Sequence, residues 1–263
     1  MIDQKYTENI KQYGAFKDSG ESRLKLLRDD IGFRMDQKAE YVIIGGCVQP
    51  EAMPQAFRAF KNLLEHLKIN YTLLSKEYCC GWMPIGQPAV MARNEEDIAE
   101  YKGLSKGFIA ENLRQAEALG AQSIVLFCSA CEPNYSNYKK DTTLNIMHYT
   151  ELLNRYIQNG MLDSEIDYYA GCYRFRRRIT DEPLDIEPAA GLLQKIDGLK
   201  VNYLNNDLCC FKRPGLEQLT AALKTKNLIT ICTGCYHNLK RNLQGKGDYS
   251  VKMLPEMLAE AVK

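Results

Sequence analysis

The chain has 263 residues, 45% of them hydrophobic and 25% charged, with a formal net charge of +1. That composition can fill a buried core and argues against intrinsic disorder, and the near-neutral balance leaves no basis for a nucleic acid or membrane surface held by long-range charge. No run approaches the roughly 18 apolar residues of a membrane span, and MIDQKYTENIKQYG lacks the apolar centre of a secretory signal, so a cytoplasmic location is expected.

Residues 1–38 are polar, with one weakly amphipathic stretch, SRLKLLRDDIGFRM, and read as an N-terminal extension that packs on the body or on a partner. A regular alternation then begins. YVIIGG reads as a buried strand, PQAFRAFKNLLEHL as an amphipathic helix and NYTLLS as a second strand. A long helix follows over 95–118, then the strand QSIVLF, a short helix after Cys131, the strand LNIMH and the helix YTELLNRYI. Residues 161–166, MLDSEI, read as a short connection, after which the order starts again. IDYYAG, LKVNYL, NLITI and YSVKM are strands; EPAAGLLQKI, GLEQLTAALK and LPEMLAEAV are helices.

Strands alternating with helices imply parallel sheets. The expected fold is therefore α/β, with two similar parallel-sheet domains related by pseudo-twofold symmetry at residues 39–162 and 163–263. Both halves close with a strand and then a helix.

Ten cysteines divide between these halves in the same order. Each half has a single cysteine, an adjacent pair and a Cys-x-x-Cys: Cys47, Cys79, Cys80, Cys128 and Cys131, then Cys172, Cys209, Cys210, Cys232 and Cys235. Every such element follows a predicted strand directly or within a few residues. The carboxyl ends of parallel strands share one edge, where such sheets place ligands, so five thiols are expected to converge in each half. In a reducing compartment they point to metal binding or thiol redox chemistry, and adjacent cysteines do not easily meet the geometry of a disulfide with each other.

Soft thiolate sites select zinc or iron-sulfur clusters. A zinc-binding interaction module would use four of each five and strand a fifth twice, whereas a multi-iron cluster has more metal positions to satisfy. Dithiol exchange through CSAC or CTGC alone would leave three companions in each set unexplained.

The segments GGCVQP, EYCCGW, CSAC, YYAGCY, LCCFK and CTGC together resemble the heterodisulfide reductase family, in particular its cysteine-rich iron-sulfur subunit with two CCG domains, over residues about 40 to 263. The resemblance implies that each set of five holds a noncubane [4Fe-4S] cluster. It also implies a disulfide substrate between the two clusters that leaves as two thiols after one-electron reductions, with electrons arriving from a ferredoxin-like iron-sulfur subunit and a flavin-containing subunit. Similar repeats in proteins resembling the lactate and glycolate oxidation machinery imply the alternative of a non-catalytic electron-transfer subunit. Two departures stand out: Phe211 replaces the glycine after the second pair, and 21 residues separate Cys210 from Cys232 where 47 separate Cys80 from Cys128.

Beside the cysteines, Arg174, Arg176, Arg177 and Arg178 follow Cys172, and Lys212 and Arg213 follow Phe211. Arg174, Arg176 and Lys212 are candidate contacts to an anionic small-molecule substrate, the alternative being a solvated loop or a docking patch for an acidic partner. His237, two residues after Cys235, is the candidate proton donor to a departing thiolate, against the reading of a locally bonded helix residue. His66 and His148 sit in helical and strand-end contexts. Trp82, the only tryptophan, is expected to shield the first cysteine set from water. No G-x-G-x-x-G or phosphate-binding loop occurs, so nucleotide binding is not indicated.

Overall fold

A computed structural model describes residues 3–17, 20–182 and 184–262, with the side chains of Arg174 and Phe175 outside that description. It contains two four-stranded, wholly parallel sheets. The first comprises β1 (Tyr41–Ile44), β2 (Tyr71–Leu73), β3 (Ser123–Leu126) and β4 (Asn145–His148), in the order β2-β1-β3-β4. The second comprises β5 (Gly160–Tyr169), β6 (Ile196–Tyr203), β7 (Asn227–Thr230) and β8 (Ser250–Met253), in the order β6-β5-β7-β8. The halves thus share one topology, as the alternation of predicted elements requires.

The central strands of the first sheet are buried along their whole length because both their faces are covered. All four residues of β1 are buried, as are all four of β3, and they pair in register from Tyr41 opposite Ser123 to Ile44 opposite Leu126. In the second sheet the last four residues of β5 are buried while its first six alternate in exposure. This strand begins at Gly160 and takes in MLDSEI, which by its sequence reads as a connection. Its alternating pattern reflects pairing with β6, from Gly160 opposite Ile196 to Tyr168 opposite Tyr203, with a bulge between Met161 and Ser164.

Compactness divides the chain differently from the repeat. One unit comprises Met1–Pro54, Ile69–His148 and Phe175–Pro183; the other comprises Gln55–Lys68, Tyr149–Arg174 and Leu184–Lys263. The helix Pro54–His66 therefore packs almost entirely within the second unit although it connects two strands of the first sheet. It buries Phe57, Phe60 and Leu64, and Phe60 meets Tyr149 edge-on at 5.8 Å between ring centroids.

The N-terminal residues are more structured than their polarity suggests. Gln4–Tyr13 is a helix capped by Asp3, whose carboxylate accepts from the Lys5 amide at 2.9 Å, and it ends on Gly14 in the left-handed region. A Cβ on Gly14 would lie 2.5 Å from the Glu77 carbonyl oxygen, so only glycine permits this approach. A helical turn over Glu21–Lys25 runs into a π-helical turn over Leu26–Ile31. Ile10, Phe16, Leu27 and Ile31 are buried.

Among the described residues, no helix is long and apolar enough to cross a membrane.

Candidate metal centres

Where the strand order reverses, between β1 and β3 and between β5 and β7, an open parallel sheet forms a crevice at its carboxyl edge. Cys47 and Cys128 follow β1 and β3; Cys172 and Cys232 follow β5 and β7. A glycine precedes the single cysteine in each half and lets the two strand ends close on one another. A Cβ on Gly46, at φ +89°, would lie 2.8 Å from the Cys128 Cβ and 3.1 Å from its sulfur. A Cβ on Gly171, at φ +110°, would lie 3.0 Å from the Cys232 Cβ and 3.4 Å from the Cys235 sulfur.

The cysteine pairs are brought in by asparagines on helices. Asn94 caps the helix Glu95–Ala118 by accepting from the Glu96 and Asp97 amides at 3.1 and 3.2 Å, and three acidic residues in its first turn complement the helix dipole. From its interior the fully buried Asn112 accepts from the Tyr78 amide at 2.8 Å and donates to the Tyr78 carbonyl at 2.7 Å, holding the backbone just before Cys79. In the second unit Asn238, on the helix Thr233–Leu243, donates to the Cys210 carbonyl at 2.6 Å. Neither asparagine stands out in the sequence; only burial beside a cysteine loop marks them.

The thiols lie against one another. The Cys47 and Cys79 sulfurs are 2.9 Å apart, well beyond the roughly 2.05 Å of a disulfide, and all ten cysteines are free. In each unit the last cysteine of the Cys-x-x-Cys hydrogen-bonds both to the first cysteine of its own motif and to the second of the pair: Cys131 to Cys128 and Cys80, Cys235 to Cys232 and Cys210. Donation to these partners and burial push the Cys131 and Cys235 thiols well up. The hydrogen bond to Cys79 and burial do the same for Cys47. Cys80, which receives hydrogen bonds from Cys131 and Cys79, is pulled down to about 6.

So many buried thiols cannot all ionise without a cation, because each thiolate raises the cost of the next. A metal centre would supply that cation, and the donor set is all sulfur, which suits soft metals and iron-sulfur clusters. Among the described residues no group of three or more His, Cys, Asp or Glu side chains is gathered as the ligands of a single metal ion. The fit therefore rests on the donors: five cysteines in each half that follow strand ends at one edge of its sheet, with thiol contacts joining Cys47 to Cys79 and Cys131 to Cys80 and Cys128 in the first set, and Cys235 to Cys210 and Cys232 in the second.

The first set is the more enclosed. Cys79, Cys80, Cys128 and Cys131 are buried and Cys47 is partly exposed, whereas in the second set both Cys172 and Cys209 are partly exposed. Trp82 is buried in one apolar cluster with Cys80, Cys128 and Cys131 and meets Tyr101 edge-on at 6.2 Å. Phe211 is 61% exposed, with its ring edge 3.6 Å from where a Cβ of Gly234, in the Cys-x-x-Cys, would stand.

Around the loop that carries Cys47 lies a charged arrangement that the sequence alone does not reveal. The buried Glu77 carboxylate accepts from the Gly45 and Gly46 amides at 2.9 and 2.8 Å. Burial raises its pKa, against the pull of Arg23 and these two amides. Arg23, from the N-terminal segment, sits 3.7 Å away, and the two side chains are 4% and 2% exposed. Cys79 donates its amide to the Gly14 carbonyl at 2.8 Å, and Ile10 and Phe16 pack in one cluster with Cys79, against which Cys47 also rests. The first 38 residues thus build part of the first site.

The other sequence candidates separate. Arg176, expected among the substrate contacts, is buried and committed elsewhere: it donates to both Glu132 oxygens at 2.6 and 2.8 Å and to the Ser136 hydroxyl at 3.0 Å. Such a bidentate pair is structural in character, locking the residue next to Cys131. Arg178 pairs with Glu95 at 3.0 Å on the surface. Lys212 is exposed, and its amide donates to the Cys209 carbonyl at 3.0 Å. The side chain of Arg174 lies outside the described residues. His237 is half-buried on the Thr233–Leu243 helix, edge-on to Tyr236 at 5.3 Å, with its pKa lowered by burial and by Lys240. His148 is buried and lowered to about 4 by the same desolvation, and His66 is exposed.

Comparison with known proteins extends this picture. No curated protein matches the chain. Its fold is similar to that of a hypothetical protein from Helicobacter pylori, at 13% identity and a TM-score of 0.52, covering 98% of this chain and 57% of that one. The chain thus spans little more than half the length of that structure. A structure of PH1733, an aspartate racemase homologue from Pyrococcus horikoshii OT3, is aligned over 85% of this chain and 96% of that one, at 14% identity and a TM-score of 0.33. A family model described as a cysteine-rich domain, CCG, matches residues 41–134, which hold the whole first set of cysteines, and the likeness there fits an iron-sulfur redox role.

Proposed function

We propose that the chain is the iron-sulfur redox subunit of a heterodisulfide reductase-like complex, with one [4Fe-4S] cluster, of noncubane type, on each set of five cysteines. What supports this above all is the doubled arrangement: two sheets of one topology, each with five thiols at the edge where the strand order reverses. Zinc would leave one thiol of each five without a role.

The substrate in this reading is a small-molecule disulfide, cleaved with two electrons and two protons to two thiols. The clusters supply the electrons one at a time, drawn from a ferredoxin-like subunit and a flavin-containing subunit. The chain's own residues bind and protonate. The second set, with Cys172 and Cys209 partly exposed, is the one a substrate approaches more readily. His237, two residues from Cys235 on the same helix, is the candidate proton donor to a departing thiolate, with its pKa lowered by burial and by Lys240. With Arg176 committed to Glu132, the exposed Lys212 is a candidate anion contact, and Arg174 stays a candidate as well.

Anaerobic purification followed by iron and acid-labile sulfide analysis and electron paramagnetic resonance tests the reading. Iron and sulfide in equal amounts are expected, and a loaded protein should reduce small disulfides with an artificial one-electron donor. Protein carrying zinc, or neither iron nor sulfide, overturns it. Loaded protein without disulfide reduction points instead to a non-catalytic electron carrier resembling the lactate and glycolate oxidation machinery, a reading that the enclosure of the first cysteine set also favours.

A further inference from the structure

Arg23 is a buried cation whose needs the protein meets only in part. Its guanidinium is 3.7 Å from the Glu77 carboxylate and, through Nη2, 3.5 Å from the Glu77 carbonyl, while its Nε and Nη1 are buried with no hydrogen-bond partner. Glu77 is itself engaged by the Gly45 and Gly46 amides. Burying an arginine is costly unless anionic acceptors surround it, and a charge left this poorly matched marks a place where a negative group belongs.

That place adjoins the first cysteine set. Gly46 directly precedes Cys47, and Glu77 lies two residues before Cys79. The Gly14 carbonyl, nine residues before Arg23, holds the Cys79 amide.

We propose that Arg23 is a built-in counter-charge for the first iron-sulfur centre, donating through Nε and Nη1 to its sulfur and raising its reduction potential. Arg23 is a positioning and tuning residue that never touches substrate. The segment before the repeat then has a defined purpose: it delivers a cation that the strand-and-cysteine repeat itself does not encode. A positive charge favours the more negative, reduced state of a cluster, and N–H donation to sulfur acts in the same direction. The inference rests on the cluster reading above.

The test compares full-length, anaerobically purified wild type with R23M, R23K and E77Q by potentiometric titration followed by paramagnetic resonance. The first centre is identified as the signal that survives in a C235A variant. R23M is expected to shift its potential downward and E77Q, which strips away the competing anion, to shift it upward, with R23K near wild type and the second centre unmoved. Opposite shifts from neighbouring residues are not what simple loss of packing produces. If R23M does not fold, R23Q, which also drops the charge but keeps a polar side chain, decides the matter by the same downward shift. Unchanged potentials in loaded R23M and E77Q, or equal movement of both centres, overturn the role of Arg23 alone, whereas a wild type lacking iron and sulfide overturns the cluster reading and this inference with it.

Discussion

The two cysteine sites share their thiols and differ in what surrounds them. In both, the last cysteine of the Cys-x-x-Cys bonds to its motif partner and to the second cysteine of the pair, and a glycine lets the first strand end close against the third. Beyond that core they part. After Cys47 comes Val48, in a helical conformation; after Cys172 comes Tyr173, at φ +45°, with a buried hydroxyl that has no partner. The first pair is followed by Gly81 and the enclosed Trp82, the second by the exposed Phe211. Only the first rests on an Arg23–Glu77 arrangement brought by the N-terminal segment. A repeat keeps the ligand geometry because every thiol is needed at once, while neighbours are free to set enclosure and charge separately at each site.

The largest effect should come from breaking one thiol group at a time. Cys131→Ala and Cys235→Ala each remove the thiol that joins pair to motif, and each should cost about half of the bound iron while leaving the other centre's resonance signal in place. Loss of all iron from either variant would show that the centres do not assemble independently.

Next come the glycines at the strand ends. Gly46→Ala combines a left-handed φ with a contact of 2.8 Å to the Cys128 Cβ, and should cost about 2–4 kcal/mol by denaturant titration. Gly171→Ala meets its nearest atom at 3.0 Å and should cost somewhat less. Equal costs would mean that backbone strain, common to both, outweighs the contacts.

The final strands of the two sheets provide a third contrast. β4 ends on His148 and β8 on Met253, paired with Leu126 and Thr230. Burial depresses His148 to about 4, from about 6.5 in the unfolded chain. The folded state therefore holds fewer protons than the unfolded state between these values, so stability is full above pH 6.5 and falls as pH drops toward 4, by about 3 kcal/mol from this residue. His148→Met, which installs the residue of the other sheet, should flatten that acid limb in denaturation curves measured from pH 7 to 4. An unchanged slope would assign the acid loss to other groups.

The smallest effects are expected where the second site departs from the first. Tyr173→Phe removes a buried hydroxyl with no partner and should leave stability within about 1 kcal/mol or raise it, because no hydrogen bond is lost. Phe211→Gly restores the glycine of the first pair at an exposed position and should change thermal stability by under about 1 kcal/mol. A larger loss would show that the Phe211 ring is an essential cover for the Cys-x-x-Cys.

Apolar runs and helix periodicity make the two parallel sheets legible, because a strand segment covered on both faces is predominantly apolar, as in YVII and SIVL. The positions of the cysteines are equally readable, since each follows a strand and strand ends share an edge. The start of β5 is not, because its first six residues alternate in exposure, and only pairing with β6 turns such a polar stretch into strand. Chain order also hides the packing of Pro54–His66 within the second unit, since an amphipathic helix shows that it buries a face without showing against what.

The residues around the thiols are decided by tertiary structure. Nothing local separates Arg23 from its exposed neighbours Lys25 and Arg28, or Arg176 from the exposed Arg177. Burial against Glu77 in one case and Glu132 in the other makes these arginines part of the molecule's interior. Ligand type and spacing are properties of a short stretch of chain and are present in the sequence. The charge felt by a centre depends on which distant side chains are buried beside it, and only the folded chain determines that.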